Sequence, residues 1–378
     1  MRQTPFAPLA CLLAVAGLAA WLPGQEPKPD QPILAALATH EYDLAGPGRA
    51  FLLTEAKKSD YFLLGELHGD NEIPVLIRAL WPAMWHAGYR HVAAEVSPWM
   101  AHALESAPAS PSTPIEGLWT RRQAADVRAF AAAGDTAIWG CDMEEVHPEY
   151  LIREWAALNP ADATLKRLVD LTGAGYKRSM AAELLALARQ SQAEKDATVN
   201  FVSLRENIVA TLEIEANRAQ AETKMTAQIE RETLMKTQFL EHIRAAGPGS
   251  GKVFVRFGRN HLHRGYDARG ISTLGNFIAE FAVSRGEKVF NVGAFGAGGK
   301  ATLMSESFSM DERSDEAAFA LLAGQAKYAA TIFDLRALRP LLHAIPREQR
   351  TPLEANLVYW SDSYDALICY KNVTPLAE

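Results

Sequence analysis

Residues 62–72 read FLLGELHGDNE. Three apolar residues, Phe62, Leu63 and Leu64, meet Gly65 and are followed within five positions by Glu66, His68 and Asp70. An apolar run this short, bounded by glycine and polar residues, has the length of a buried strand rather than a helix. The next residues, IPVLIRALWPAMWHAG (73–88), carry Ile73, Leu76, Ile77 and Leu80 at helical spacing, with Pro82 placed to kink or split the helix. Strand followed by helix then repeats. HVAAEV (91–96) reads as a second strand, RRQAADVRAFAAAG (121–134) as a helix closed by Gly134, and TAIWGCDM (136–143) as a third strand. This βαβαβ order predicts a parallel sheet with helices on its faces, an α/β fold.

Residues 147–246 break that rhythm. SMAAELLALARQ and the long run from Asn200 to Gly247 are helical in composition and end at GPGSG. They predict an inserted subdomain or cap of one or two long helices. A dimerisation arm is the alternative, although the apolar positions hold no clean heptad. The sheet resumes with KVFVRFG (252–258), a helix over ISTLGNFIAEFAVSRG, and strands at KVFNVGAFG (288–296), ATIFDLRAL (330–338) and DALICYKNV (365–373), with GAGGK read as a turn. The expected boundaries are thus 51–146 for the first half of the α/β domain, 147–246 for the helical insertion and 247–378 for the second half.

The N-terminal 24 residues stand apart. One early charge, Arg2, precedes an apolar core from Leu9 to Leu22 with small residues near its end, the pattern of a secretory signal peptide, with an uncleaved anchor as the alternative. A polar, proline-containing linker and N-terminal arm (25–50) follow. The expected location is secreted or periplasmic, with no stable membrane span once the signal is cleaved. Cys141 and Cys369 are too few for a disulfide framework and sit in apolar segments, so buried free thiols are expected, with a single bridge between them in an oxidising compartment as the alternative. The 378-residue chain carries net charge −7, which disfavours nucleic acid as a partner, while 48% hydrophobic and 22% charged residues describe a globular chain.

In open parallel sheets, ligands bind beyond the carboxyl ends of the strands. The first strand ends in Glu66 and His68, the second in Glu95 and the third in Asp142, followed by Glu144 and Glu145 at an expected helix start. The fourth ends in GRNHLHRG, with Arg259, Asn260, His261, His263 and Arg264. Four successive endings of this kind would converge on one site. A carboxylate bonded to one imidazole nitrogen fixes its tautomer and leaves the other nitrogen to take a proton from water. On an extended segment His261 and His263 would face one side, an arrangement suited to a metal or a shared substrate. His86, His91, His102, His147 and His242 read as structural. No GxSxG elbow, HExxH motif or phosphate-binding fingerprint occurs, and neither Cys141 nor Cys369 has an adjacent histidine, which disfavours a Ser or Cys nucleophile.

The blocks LLGELHGDNE, GYRHVAAEV, AIWGCDM, KVFVRFGRNHLHRG, STLGNFIAE, VFNVGAFG and YDALICYKNVTP, in this order, resemble the erythromycin esterase-like proteins and the related ChaN/Tiki haem-uptake superfamily. The resemblance implies that Glu66 and His68 are the first catalytic pair, that Glu95 is the acidic residue ending the second strand, and that His261 is the histidine after the fourth, with His263 as a second. Asp142, Arg259 and Asn260 join His263 as expected substrate-binding residues. The implied chemistry is water attack on a small-molecule ester or lactone without a covalent acyl-enzyme, and it requires no cofactor. The E-x-H spacing of Glu66 and His68 is that of the ChaN/Tiki branch, where the esterases look like E-x-x-H. That branch implies a haem or iron-complex binding protein, or a metal-dependent peptidase in which Glu66, His68 and His261 are the candidate divalent-metal ligands. Oligomerisation through the helical insertion is a further expectation.

Overall fold

The computed structural model describes residues 31–106, 119–132, 135–145, 148–191, 199–303 and 306–376. The expected signal peptide, the first part of the linker, Gly134 and His147 lie outside these residues.

Among the described residues nine strands form one sheet: β1 (Glu41–Asp43), β2 (Tyr61–Glu66), β3 (Tyr89–Ala94), β4 (Ile138–Gly140), β5 (Lys252–Gly258), β6 (Val289–Leu303), β7 (Glu306–Asp311), β8 (Ala330–Asp334) and β9 (Ala366–Tyr370). Their order is β1-β8-β9-β6-β2-β5-β3-β4, with β7 hairpinned onto β6. The inner pairs β6–β2, β2–β5, β5–β3, β3–β4 and β6–β9 are parallel, while β1–β8 and β8–β9 are antiparallel. The α/β reading therefore holds.

The pattern of β2 explains its central place. Tyr61 and Leu63 point into one apolar cluster, Phe62 and Leu64 into the other, and all six strand residues are buried. A strand covered on both faces reads as a continuous apolar run. Each fully buried Leu or Phe contributes about 1.5–3 kcal/mol. The helix Glu72–His86 runs unbroken through Pro82. Asp70, rather than Asn71, caps it: Asp70 Oδ1 accepts the Ile73 N–H at 2.8 Å.

Several boundaries differ from the sequence reading. The third strand is only three residues long, and the segment 330–338 leaves the sheet after Asp334 for a 3₁₀ turn at Leu335–Ala337. GAGGK is not a turn but part of β6. Its glycines permit close approach: a Cβ on Gly296 would lie 2.6 Å from the Met310 carbonyl oxygen. The 147–246 segment contains helices Pro148–Leu158, Ala163–Thr172 and Ala181–Gln190, then the two long helices Val199–Arg218 and Lys224–Ala246. Cys141 and Cys369 are buried free thiols. Among the described residues no helix is long and apolar enough to cross a membrane.

Candidate functional site

The strands β4, β3, β5 and β2 are consecutive in the sheet, so their carboxyl ends lie side by side. Glu95, just past β3, is the hub. Its Oε2 accepts the Gly258 N–H at 2.6 Å and lies 3.6 Å from His68 Nε2. Its Oε1 accepts from Arg231 Nη2 at 2.9 Å and lies 3.4 Å from His261 Nε2. Burial raises the pKa of this carboxyl, but His261 and His68 more than offset it and hold it well below the usual range.

Gly258 is the floor beneath His68. A Cβ there would lie 2.7 Å from His68 Nε2 and 3.1 Å from Glu95 Oε2, closer than a side chain can approach. His68 Nδ1 has no hydrogen-bond partner among the described residues, and 29% of the side-chain surface is exposed, enough to admit water. Desolvation pulls the imidazole pKa down, yet Glu95 and Glu66 outweigh it and leave it raised.

His261 is held differently. It ends the 3₁₀ turn Arg259–His261, and its Nδ1 lies 2.5 Å from Glu232 Oε1. Both ring nitrogens therefore face carboxylates, and only the doubly protonated imidazolium can donate to both. Burial opposes the charge, but Glu95 and Glu232 prevail and the pKa rises to about 9. The other oxygen of Glu232 accepts the Leu274 N–H at 2.8 Å, which fixes the carboxylate.

Glu66 is 3% exposed at the end of β2. Its Oε2 accepts from Arg256 Nε at 2.5 Å, and its Oε1 has no hydrogen-bond partner among the described residues. Burial raises its pKa against the pull of Arg256. Arg256 also donates to Gln123 Oε1 at 3.0 Å and stacks its guanidinium over the Trp119 ring at 4.4 Å.

Of the remaining expected residues, Asp142 turns its carboxylate to Arg231 (Nε–Oδ1 2.9 Å) and to the Met143 N–H (2.8 Å). Arg259 reaches Glu312 at 2.7 Å and packs over Phe319, away from Glu95. Asn260 is exposed. The shared side expected for His261 and His263 is not found, because the 3₁₀ turn interrupts the extended alternation. His263 is 2% exposed among the rings of Tyr359, Trp360 and Tyr364, and burial followed by the Arg259 charge lowers its pKa to about 3. Glu144 and Glu145 precede the next helix instead of starting it. Glu144 binds Ser97, and Glu145 pairs with Arg218 at 2.8 Å. Among the described residues no group of three or more His, Cys, Asp or Glu is placed to hold a metal ion.

Two residues of the site escaped the sequence reading. Arg231 and Glu232 lie on the helix Lys224–Ala246, far from any strand end in sequence; Arg231, half-buried, reaches Glu95, and Glu232, buried, reaches His261. The one available signal was a charged pair inside a segment that already contains many charges.

Comparison with family models and with curated proteins gives no match. Solved structures do resemble the chain. One is a protein from Bacillus cereus, 14% identical with TM-score 0.60, covering 92% of this chain and 99% of that one. Another is a succinoglycan biosynthesis protein, 13% identical with TM-score 0.58, covering 91% and 97%. A third is a mutant of the erythromycin esterase EreC in its open conformation, 12% identical with TM-score 0.60, covering 88% and 95%. The resemblance read from the motif blocks thus holds at the level of the fold: this chain has the α/β fold of an erythromycin esterase.

Proposed function

We propose that the protein is a secreted or periplasmic hydrolase of an ester or lactone, acting through water activated by His68. The observation that carries this reading is the His68 imidazole, seated on Gly258 with Nε2 toward Glu95 and Nδ1 unpartnered beside solvent. Nδ1 removes a proton from water as the water oxygen bonds the carbonyl carbon. The tetrahedral oxyanion collapses, the C–O ester bond breaks, and the proton passes to the departing alcohol oxygen. The His261 imidazolium, on the other oxygen of Glu95, supplies positive charge as the oxyanion forms. The EreC fold supports the reaction class.

His68→Ala is expected to abolish hydrolysis of an activated ester such as p-nitrophenyl acetate, with a melting temperature near that of the wild type. A folded, active His68→Ala protein would refute the assignment. Two controls address the branch that the E-x-H spacing suggests. A haemin titration that yields a Soret band, lost on substitution of a histidine or tyrosine, would favour a binding protein. Hydrolysis that disappears with metal removal and returns with metal would favour a metal-dependent enzyme.

A further inference from the structure

Among the described residues, three buried polar atoms around the Arg256 guanidinium have no hydrogen-bond partner: Glu66 Oε1, Gln123 Nε2 and Trp119 Nε1. Arg256 ties them into one group. Its Nε donates to the second oxygen of Glu66, its Nη1 donates to the second polar atom of Gln123, and its guanidinium lies over the Trp119 ring. Glu66, Gln123 and Trp119 are each at most 6% exposed. An unsatisfied buried donor or acceptor costs about 1–3 kcal/mol, and native interiors carry few of them. Three in one group, at the strand end that also carries His68, mark a place where an absent molecule completes the hydrogen bonding.

The chemistry of the three atoms restricts that molecule. Gln123 Nε2 and Trp119 Nε1 only donate. Glu66 Oε1, on a carboxylate whose other oxygen receives Arg256, accepts. A carbonyl or ether oxygen could serve the two donors but not the carboxylate, and an ammonium could serve only the carboxylate. A hydroxyl does both, and adjacent hydroxyls span a donor and an acceptor together. We infer that Glu66, Gln123 and Trp119 form a hydroxyl-recognising subsite, so that the ester hydrolysed beside it is the ester of a polyol. This inference rests on the hydrolase reading for its reaction but not for its binding.

The test compares two butyrate esters that differ in their hydroxyls alone, glycerol 1-monobutyrate and propyl butyrate. The wild type should favour the glycerol ester by at least about tenfold in kcat/KM, because a site built to bond a hydroxyl rejects the analogue lacking it. Trp119→Phe keeps the ring under Arg256 and removes the N–H. Gln123→Glu keeps the Oε1 that Arg256 and the Thr120 N–H use, and turns the donor into an acceptor. Each should bring the preference close to one by raising KM for the glycerol ester. Equal kcat/KM for the two esters in the wild type, or a preference that survives both folded variants, would overturn the subsite. If the wild type hydrolyses neither ester, the hydrolase reading fails by itself. Saturation-transfer NMR on the His68→Ala protein then decides the subsite: binding of the glycerol ester over the propyl ester, lost in Trp119→Phe, upholds it, and equal or absent binding sinks it.

Discussion

Gly258→Ala isolates the geometry of the proposed base. The backbone does not resist the change, since Gly258 sits at φ −50° and ψ 137°, which alanine adopts without strain. At such positions Gly→Ala is ordinarily worth about +0.4–1 kcal/mol in stability through the unfolded chain. The new methyl, however, would stand 2.7 Å from His68 Nε2 and 2.9 Å from Cε1, with Glu95 Oε2 at 3.1 Å. Relief to an ordinary carbon contact of about 3.5 Å requires the ring to move by roughly 0.8 Å. The ring must shift relative to Glu95, whose own position is pinned by the Gly258 N–H and Arg231. A misplacement of about 1 Å at a catalytic group costs on the order of 100-fold, equivalent to about 2.7 kcal/mol of barrier. The assay is kcat/KM for p-nitrophenyl acetate beside a thermal melt. The expected result is a fall of about two decades with the melting temperature within a few degrees of wild type. Wild-type kcat/KM in a folded Gly258→Ala protein would refute the placement of His68 in the chemistry, and a collapse of the melt would show that Gly258 serves folding instead.

Two other substitutions address the residues supplied by the helix Lys224–Ala246. Glu232→Gln removes the carboxylate at His261 Nδ1, so the imidazolium loses one of the two charges that hold it. Its pKa should fall from about 9, seen in an NMR titration of the ring, and the alkaline limb of the rate profile should shift down with it. The same sign governs stability. A histidine raised above its unfolded value of about 6.5 stabilises fully below that pH, and the contribution is lost as pH rises through about 9. A titration unchanged by Glu232→Gln would show that the charge is set elsewhere. Arg231→Met strips Glu95 and Asp142 of their shared cation and leaves buried carboxylates uncompensated, at a cost of about 3–5 kcal/mol. Chemical denaturation measures it, and a loss below about 1 kcal/mol would mean that the carboxylates find other partners.

The sheet was legible because its strands are buried on both faces. FLL in β2 and VFVRF in β5 are runs that a helix face or a solvated loop would not carry. The neighbouring strand ends followed from the same pattern, which is why Glu66, His68, Glu95 and His261 could be named together. Side-chain direction did not follow. Asp142 and His263 occupy strand ends as expected, yet one turns to Arg231 and the other into an aromatic nest. Both choices are made by distant segments, the long helix in one case and Tyr359–Tyr364 in the other. Gln123 and Trp119 were not singled out for the same reason: they meet Arg256 through contacts between segments more than 130 residues apart in sequence.

The partners assembled by those distant segments also divide the histidines by charge. His263, among rings and near the Arg259 charge, has its pKa at about 3 and is neutral at physiological pH. His261, between two carboxylates, has its pKa at about 9 and is cationic there. A group locked in either state cannot both take and return a proton at neutral pH, because efficient transfer needs a pKa near the operating value. His68 has a single carboxylate contact, at 3.6 Å, on one nitrogen and open access on the other, and its pKa is displaced upward from 6.5 by Glu95 against desolvation. Of the three it alone combines an unpartnered nitrogen with solvent access. On the proposed hydrolase reading, proton transfer is therefore assigned to His68 and charge stabilisation to His261, a division that follows from Glu232 on a helix outside the sheet.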